Sequence, residues 1–111
     1  MDFAYTQEQD AVRAAVARIC AGFDDAYWLA RDADGRFPHE LHQALAAGGW
    51  LGICMPEEYG GAGLGVSEAA VMMQAVAESG AAMSGASAVH LNIFGLNPVV
   101  VYGTAEQKAR A

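Results

Sequence analysis

The sequence predicts an all-α protein, a small bundle of about four to five helices. Three observations carry that expectation. Apolar residues recur at helical spacing in separate segments. Two Thr-x-x-Gln capping boxes, Thr6–Gln9 and Thr104–Gln107, mark helix starts. Glycines and prolines punctuate the segments where helices should stop or turn.

The first capping box opens a helix expected from Gln7 to about Gly22, with Val12, Ala15, Val16, Ile19, Cys20 and Phe23 on its apolar stripe. Arg13 and Arg18 fall off that stripe. The acidic, aromatic stretch "DDAYWLARDADGRFP" (Asp24 to Pro38) reads as a turn, because Asp-Gly and Phe-Pro interrupt it. Pro38 suits the first position of a second helix, where a missing N–H costs nothing. That helix buries Leu41, Ala44 and Leu45, and Gly48 and Gly49 end it with a left-handed cap. Trp50, Leu51 and Ile53 follow as apolar anchors.

Beyond a glycine-rich loop, Ser67 is the expected N-cap of a third helix with Val71, Met72, Ala75, Val76 and Ser79 on its stripe, stopped by Gly80. A fourth helix starts near Met83 and ends at Gly103. It has little polar face, so burial nearly all round is expected, with a kink or break at Pro98. The second capping box then opens a last helix with room for about two turns, too short to be stable in isolation. Such a start reads as a chain that continues.

The chain has 111 residues, room for one small domain. Such a domain buries somewhat over ~60% of its unfolded surface. With 54% apolar and 17% charged residues it is too apolar for disorder. The apolar excess is expected to face a partner or another domain. Thirteen acids against six bases give a net charge of −7, which disfavours nucleic acid and anionic membrane surfaces as partners. No apolar run is long enough to span a bilayer. The start "MDFAYTQEQD" lacks a basic, apolar leader, so the cytoplasm is the expected compartment. Cys20 and Cys54 read as reduced core thiols.

The loop "MPEEYGGAGLG" (Met55 to Gly65) raises the question of a phosphate site. Gly60 and Gly65 have P-loop spacing, but Val66 stands where the lysine must be. The dinucleotide pattern G-x-G-x-x-G fails at Val66 as well. Glu57 and Glu58 would repel a phosphate. The loop is expected to turn the chain and bind nothing. His39 and His42 share a helix face, but two ligands are not a metal site, and they read as solvated surface histidines. Ala86, Ser87, His90 and Phe94 lie on one face of the fourth helix. Two readings stay open there: a core histidine satisfied by neighbours, or one wall of an apolar small-molecule pocket carrying a few polar groups.

Longer motifs point to a family. "FP-x-E" at Phe37–Glu40, "PEEYGG-x-GL" at Pro56–Leu64 and "P-V-V-x-Y-G-T-x-E-Q-K-x-R" at Pro98–Arg110 occur in order and at matching spacing. With the opening "MDFAYTQEQDAVRAAVARIC" they make essentially the whole chain resemble the N-terminal helical domain of acyl-CoA dehydrogenases.

The resemblance implies a flavoenzyme of three domains, in which FAD oxidises the α,β carbon–carbon bond of an acyl-CoA thioester. It also implies electron-transfer flavoprotein as electron acceptor and a homo-oligomer, usually a tetramer. The middle β domain and C-terminal helical domain, with the catalytic glutamate and most flavin contacts, have no counterpart in residues 1–111. No catalytic residue is therefore assigned, and the chain alone is expected to be inactive and not to hold FAD tightly.

The resemblance places Ala86, Ser87, His90, Leu91 and Phe94 on the wall of the acyl pocket. Bulky Phe94 and polar His90 suggest a short, branched, aromatic or polar acyl group. Other readings are the same domain of an acyl-CoA oxidase or flavin monooxygenase, and a stand-alone helical binding module.

Overall fold

The computed structural model describes residues 2–111. The order is α1 (Gln7–Cys20), α2 (Asp25–Asp34), α3 (His39–Ala47), α4 (Val66–Glu78), α5 (Ala82–Phe94), α6 (Asn97–Tyr102) and α7 (Ala105–Arg110), with short 3₁₀ turns at Trp50–Gly52 and Glu57–Tyr59. No strand occurs among the described residues. The all-helical class therefore stands.

Two departures raise the number of helices. The segment read as a turn contains α2. Its start is capped by the Asp24 side chain, which accepts the Tyr27 amide at 3.0 Å, and its end by Gly35 in the left-handed region at φ 66°. None of its residues is fully buried. Aromatic contacts hold it instead: the rings of Phe23 and Tyr27 lie 5.0 Å apart, and the Arg31 guanidinium sits 5.1 Å from the Tyr27 ring centre. Arg31 also pairs with Asp34 at 2.9 Å, the Tyr27 hydroxyl donates to Glu40 of α3 at 2.7 Å, and Trp28 packs against the core.

The expected fourth helix is divided into α5 and α6. Pro98 stands in the first turn of α6, where a missing amide hydrogen is tolerated. The break falls just before it, at Gly95 and Leu96, which keep right-handed helical backbone angles.

Smaller shifts have equally local causes. Pro38 precedes the first residue of α3 rather than occupying it, and Gly49, not Gly48, takes the left-handed turn at φ 80°. Helix α4 begins one residue before Ser67. Its cap is Gly65, whose amide donates 3.1 Å to the Glu68 carboxylate reaching back from the third helical position. A charged acceptor so placed displaces the hydroxyl cap expected at Ser67.

The core is built where four helices meet. Helix α4 packs on α1 along one side and on α5 along another, while α3 touches both α1 and α5. Val16 from α1, Leu41 and Leu45 from α3, Met72 and Val76 from α4, Val89 from α5 and Ile53 from the connector are fully buried. Each such side chain contributes ~1.5–3 kcal/mol by leaving water. The molecule is 42 × 38 × 21 Å. Its thin dimension is about two helix diameters, so each helix has core on one side only.

That geometry corrects the expectation that the Met83–Gly103 segment is buried nearly all round. Ala86, Ala88 and Val89 are buried, but Leu91 is 60% exposed, Phe94 57%, Val101 56% and Tyr102 87%. One face of α5 packs on α4 and α3, and the opposite apolar face has no partner among the described residues.

Candidate functional site

The glycine loop can be tested atom by atom. The amides of Tyr59, Gly60, Gly61, Ala62, Gly63 and Leu64 all donate to backbone carbonyls of Gly52, Ile53, Met55, Pro56 or Glu57, at 2.8–3.1 Å. The Gly65 amide goes to Glu68. A phosphate cradle needs free amides, and this loop spends its amides on itself. The glycines serve the turn. Gly60 and Gly63 have φ of 86° and 67°, and a Cβ on Gly61 would lie 2.1 Å from the Met55 carbonyl oxygen. The loop does not fit the pyrophosphate of FAD.

A groove between α4 and α5 has a different character. Val66, Ala69, Ala70 and Met73 line it from α4, and His90, Ile93 and Phe94 from α5. Its volume is about 210 Å³. The two alanines leave the space, and Met73 supplies an adaptable wall. Val66, Ile93 and Phe94 also border an adjoining crevice of about 420 Å³ that reaches Cys54, Leu64 and Asn97.

His90 is the polar side chain of the inner groove. Its Nδ1 lies 2.7 Å from the Ser87 carbonyl oxygen, one turn back on α5. A carbonyl only accepts, so Nδ1 carries the proton and Nε2 presents a lone pair in the neutral ring. Nε2 has no partner among the described residues. The ring lies against Phe94, with centroids 4.9 Å apart and planes tilted by 33°.

Of the five residues expected on the pocket wall, His90 and Phe94 line this groove. Ala86 is buried deeper along α5, and Ser87 and Leu91 face solvent on its flank. Ile93 and the α4 residues were not anticipated. Val66, Ala69, Ala70 and Met73 follow i, i+3, i+4, i+7 spacing, a second apolar stripe beside the core stripe of α4.

The other candidate chemistry is spent elsewhere. His42 is half-buried rather than solvated, and its Nε2 lies 3.2 Å from the Asn92 Oδ1, joining α3 to α5. His39 is exposed, with its ring 4.9 Å from that of Phe37. No group of three potential metal ligands occurs among the described residues. Cys20 and Cys54 are free thiols. Burial pushes both thiols up, opposed at Cys20 by contact with Ser79 and reinforced at Cys54 by the charge of Glu68. Neither is an activated thiolate. No helix among the described residues is long and apolar enough to cross a membrane.

Comparison with known proteins settles the family. The family model described as "Acyl-CoA dehydrogenase, N-terminal domain" matches residues 6–111. The chain belongs to the acyl-CoA dehydrogenase family. Among acyl-CoA dehydrogenase relatives, FadE12 of Mycobacterium tuberculosis is 32% identical across 97% of this chain and 27% of its own length. Benzylmalonyl-CoA dehydrogenase of Aromatoleum aromaticum is 32% identical across 96% of this chain and 28% of its own. The probable acyl-CoA dehydrogenase YngJ of Bacillus subtilis is 33% identical across 97% and 28%. The chain thus spans little more than a quarter of the length of these acyl-CoA dehydrogenases. No solved structure gives a significant match.

Proposed function

We propose that these residues form the N-terminal domain of an FAD-dependent acyl-CoA dehydrogenase, which oxidises the α,β carbon–carbon bond of an acyl-CoA thioester. In that reading the domain supplies one wall of the acyl pocket. The remaining length typical of its relatives would supply the flavin site and the catalytic base. Electron-transfer flavoprotein as acceptor and a homotetrameric assembly belong to the same proposal.

The observation that carries the reading is the α4/α5 groove, walled by Ala69, Ala70, Met73, His90, Ile93 and Phe94. Its apolar lining suits an acyl group and offers nothing to a phosphate. An apolar cavity of roughly 150 Å³ suffices for a benzene ring. A groove of about 210 Å³ therefore admits a short, branched or aromatic acyl group. A benzyl group, as in the name of the Aromatoleum relative, is of that kind. The unpartnered apolar face carrying Leu91, Val101 and Tyr102 fits a surface that other parts of a larger enzyme cover.

The test uses the protein purified from its native source. Its flavin absorbance is recorded, and turnover is followed on a panel of acyl-CoA thioesters with an artificial electron acceptor. Bound flavin, and turnover highest on short branched or aromatic acyl groups, is the expected result. A preference for long straight chains would overturn the acyl-group assignment. Absence of both flavin and turnover would overturn the enzyme reading and leave a helical binding module.

A further inference from the structure

Two cavities meet at the same three side chains. Val66, Ile93 and Phe94 line both the α4/α5 groove of about 210 Å³ and the outer crevice of about 420 Å³ that reaches Cys54 and Asn97. Ile93 packs against the core and is anchored there. Val66 is the first residue of α4 and 80% exposed, and Phe94 is the last of α5 and 57% exposed. The shared wall therefore stands largely on two side chains at helix ends, of which Phe94 is the larger. A phenyl ring at an exposed helix end has several rotamers open to it. This one has a neighbour that restrains it. His90, one turn back on the same face, lies with its ring 4.9 Å from that of Phe94 between centroids, tilted by 33°. The His90 ring is itself tied through Nδ1 to the Ser87 carbonyl oxygen at 2.7 Å. A backbone carbonyl fixes one ring, and that ring steadies the next.

We infer that Phe94 divides the acyl site into two compartments, and that His90 is the positioning residue that holds the divider. The consequence is a limit on acyl size. A compact apolar group fills the inner groove, and a longer straight chain cannot run on into the crevice. This rests on the reading of the groove as an acyl pocket. It goes further in naming the residue that sets the limit and the one that steadies it. Neither takes part in bond breaking. The inner lining is almost wholly apolar, so an occupant gains there by leaving water and by fit. With the Phe94 ring removed the two spaces join, and each further methylene that leaves water adds to binding.

Binding is measured by calorimetry on the full natural polypeptide. The probes are the hexyl and dodecyl thioethers of coenzyme A, which lack the thioester carbonyl and so bind without reacting. The unmodified protein should bind the dodecyl probe no more tightly than the hexyl probe. Phe94→Ala should raise the dodecyl-to-hexyl affinity ratio by roughly tenfold or more, the effect of about two additional methylenes leaving water. His90→Ala should raise the ratio by less, and His90→Phe, which keeps a ring beside Phe94, should restore it. Leu91→Ala, on the exposed flank, should leave it unchanged. If Phe94→Ala does not fold, as judged by helical circular dichroism, Val66→Ala trims the same wall and should move the ratio in the same direction. A ratio unmoved by Phe94→Ala, or a strong dodecyl preference in the unmodified protein, overturns the divider and leaves the acyl groove intact. Failure of both probes to bind the unmodified protein overturns the acyl groove and the inference with it.

Discussion

The side-chain amide of Gln9 donates to a carboxylate oxygen of Glu68 across 3.1 Å. Each residue already has a local task. The Gln9 oxygen accepts the Thr6 amide at the start of α1, and the other Glu68 oxygen accepts the Gly65 amide at the start of α4. One glutamine therefore links the caps of two helices that pack together. The same contacts hold the Glu68 carboxyl below its ordinary value of 4.5, the Gln9 hydrogen bond first and the Gly65 amide next. A depressed carboxyl contributes stability above its unfolded value, and that contribution is lost as pH falls through the folded one. Gln9→Glu sets a second carboxylate beside Glu68 and reverses the sign. The melting temperature should drop relative to the unmodified chain at neutral pH, and the gap should narrow in acid as the carboxyls take up protons. A gap independent of pH would disprove the coupling.

Gly61 is the least replaceable residue of the loop. A Cβ there would meet the Met55 carbonyl oxygen at 2.1 Å, and that oxygen accepts the Gly63 amide. Backbone must move to make room. Gly61→Ala should cost more than about 2 kcal/mol in urea unfolding. Gly35→Ala meets no neighbouring atom, and only its left-handed angle of φ 66° opposes it, so its cost should be about 1 kcal/mol.

Ala82, the first residue of α5, has φ of 46°, a left-handed angle that glycine accepts without penalty. Ala82→Gly should stabilise the chain by about 1 kcal/mol, since relief of strain outweighs the extra freedom of the unfolded glycine. The check is the urea midpoint, which should rise with an unchanged slope.

Leu45 and Leu91 are the same residue type in opposite settings. Leu45 is fully buried, whereas Leu91 is 60% exposed. Leu45→Ala should cost about 2–5 kcal/mol, a large share of the roughly 5–15 kcal/mol that a domain has to lose. Leu91→Ala should change the stability of residues 1–111 by no more than about 0.5 kcal/mol. If a larger enzyme of the kind proposed covers that face, the same change there should cost more. Paired thermal melts of the two lengths measure the difference.

The cysteines should react slowly. With both thiols pushed up, each holds less thiolate at neutral pH than a free cysteine, and its alkylation rate should keep rising into more alkaline solution. Cys54 is half-buried and Cys20 buried, so Cys54 should label first. Rapid labelling of either thiol at neutral pH would contradict the assignment.

Helix starts with a Thr-x-x-Gln box were legible in the sequence, because the reciprocal hydrogen bonds at Thr6–Gln9 and Thr104–Gln107 need only neighbours. Helix α2 was hidden for the opposite reason. It is held by the aromatic and ionic contacts of Tyr27 and Arg31 and by Trp28 against the core, which leave no aliphatic stripe to find. Its caps, Asp24 and Gly35, were read as parts of a turn. At α4 a hydroxyl at Ser67 drew attention from Glu68, the acid that reaches back to Gly65. His90 and Phe94 stood out as a polar and a bulky residue on an apolar helix. Ile93 and the alanines of α4 did not, because a groove belongs to two helices at once and neither stripe shows it alone.

The self-satisfied glycine loop has a consequence for how such a domain can diversify. With its amides engaged from Tyr59 to Gly65, the loop fixes where α4 begins, and hence where Val66 stands at the rim of the groove. The backbone is a frozen mount. What remains adjustable is the set of side chains at Val66, Ala69, Ala70, Met73, His90 and Phe94, each exchangeable without disturbing the turn. Preference for one occupant over another can then drift residue by residue while the scaffold stays unchanged.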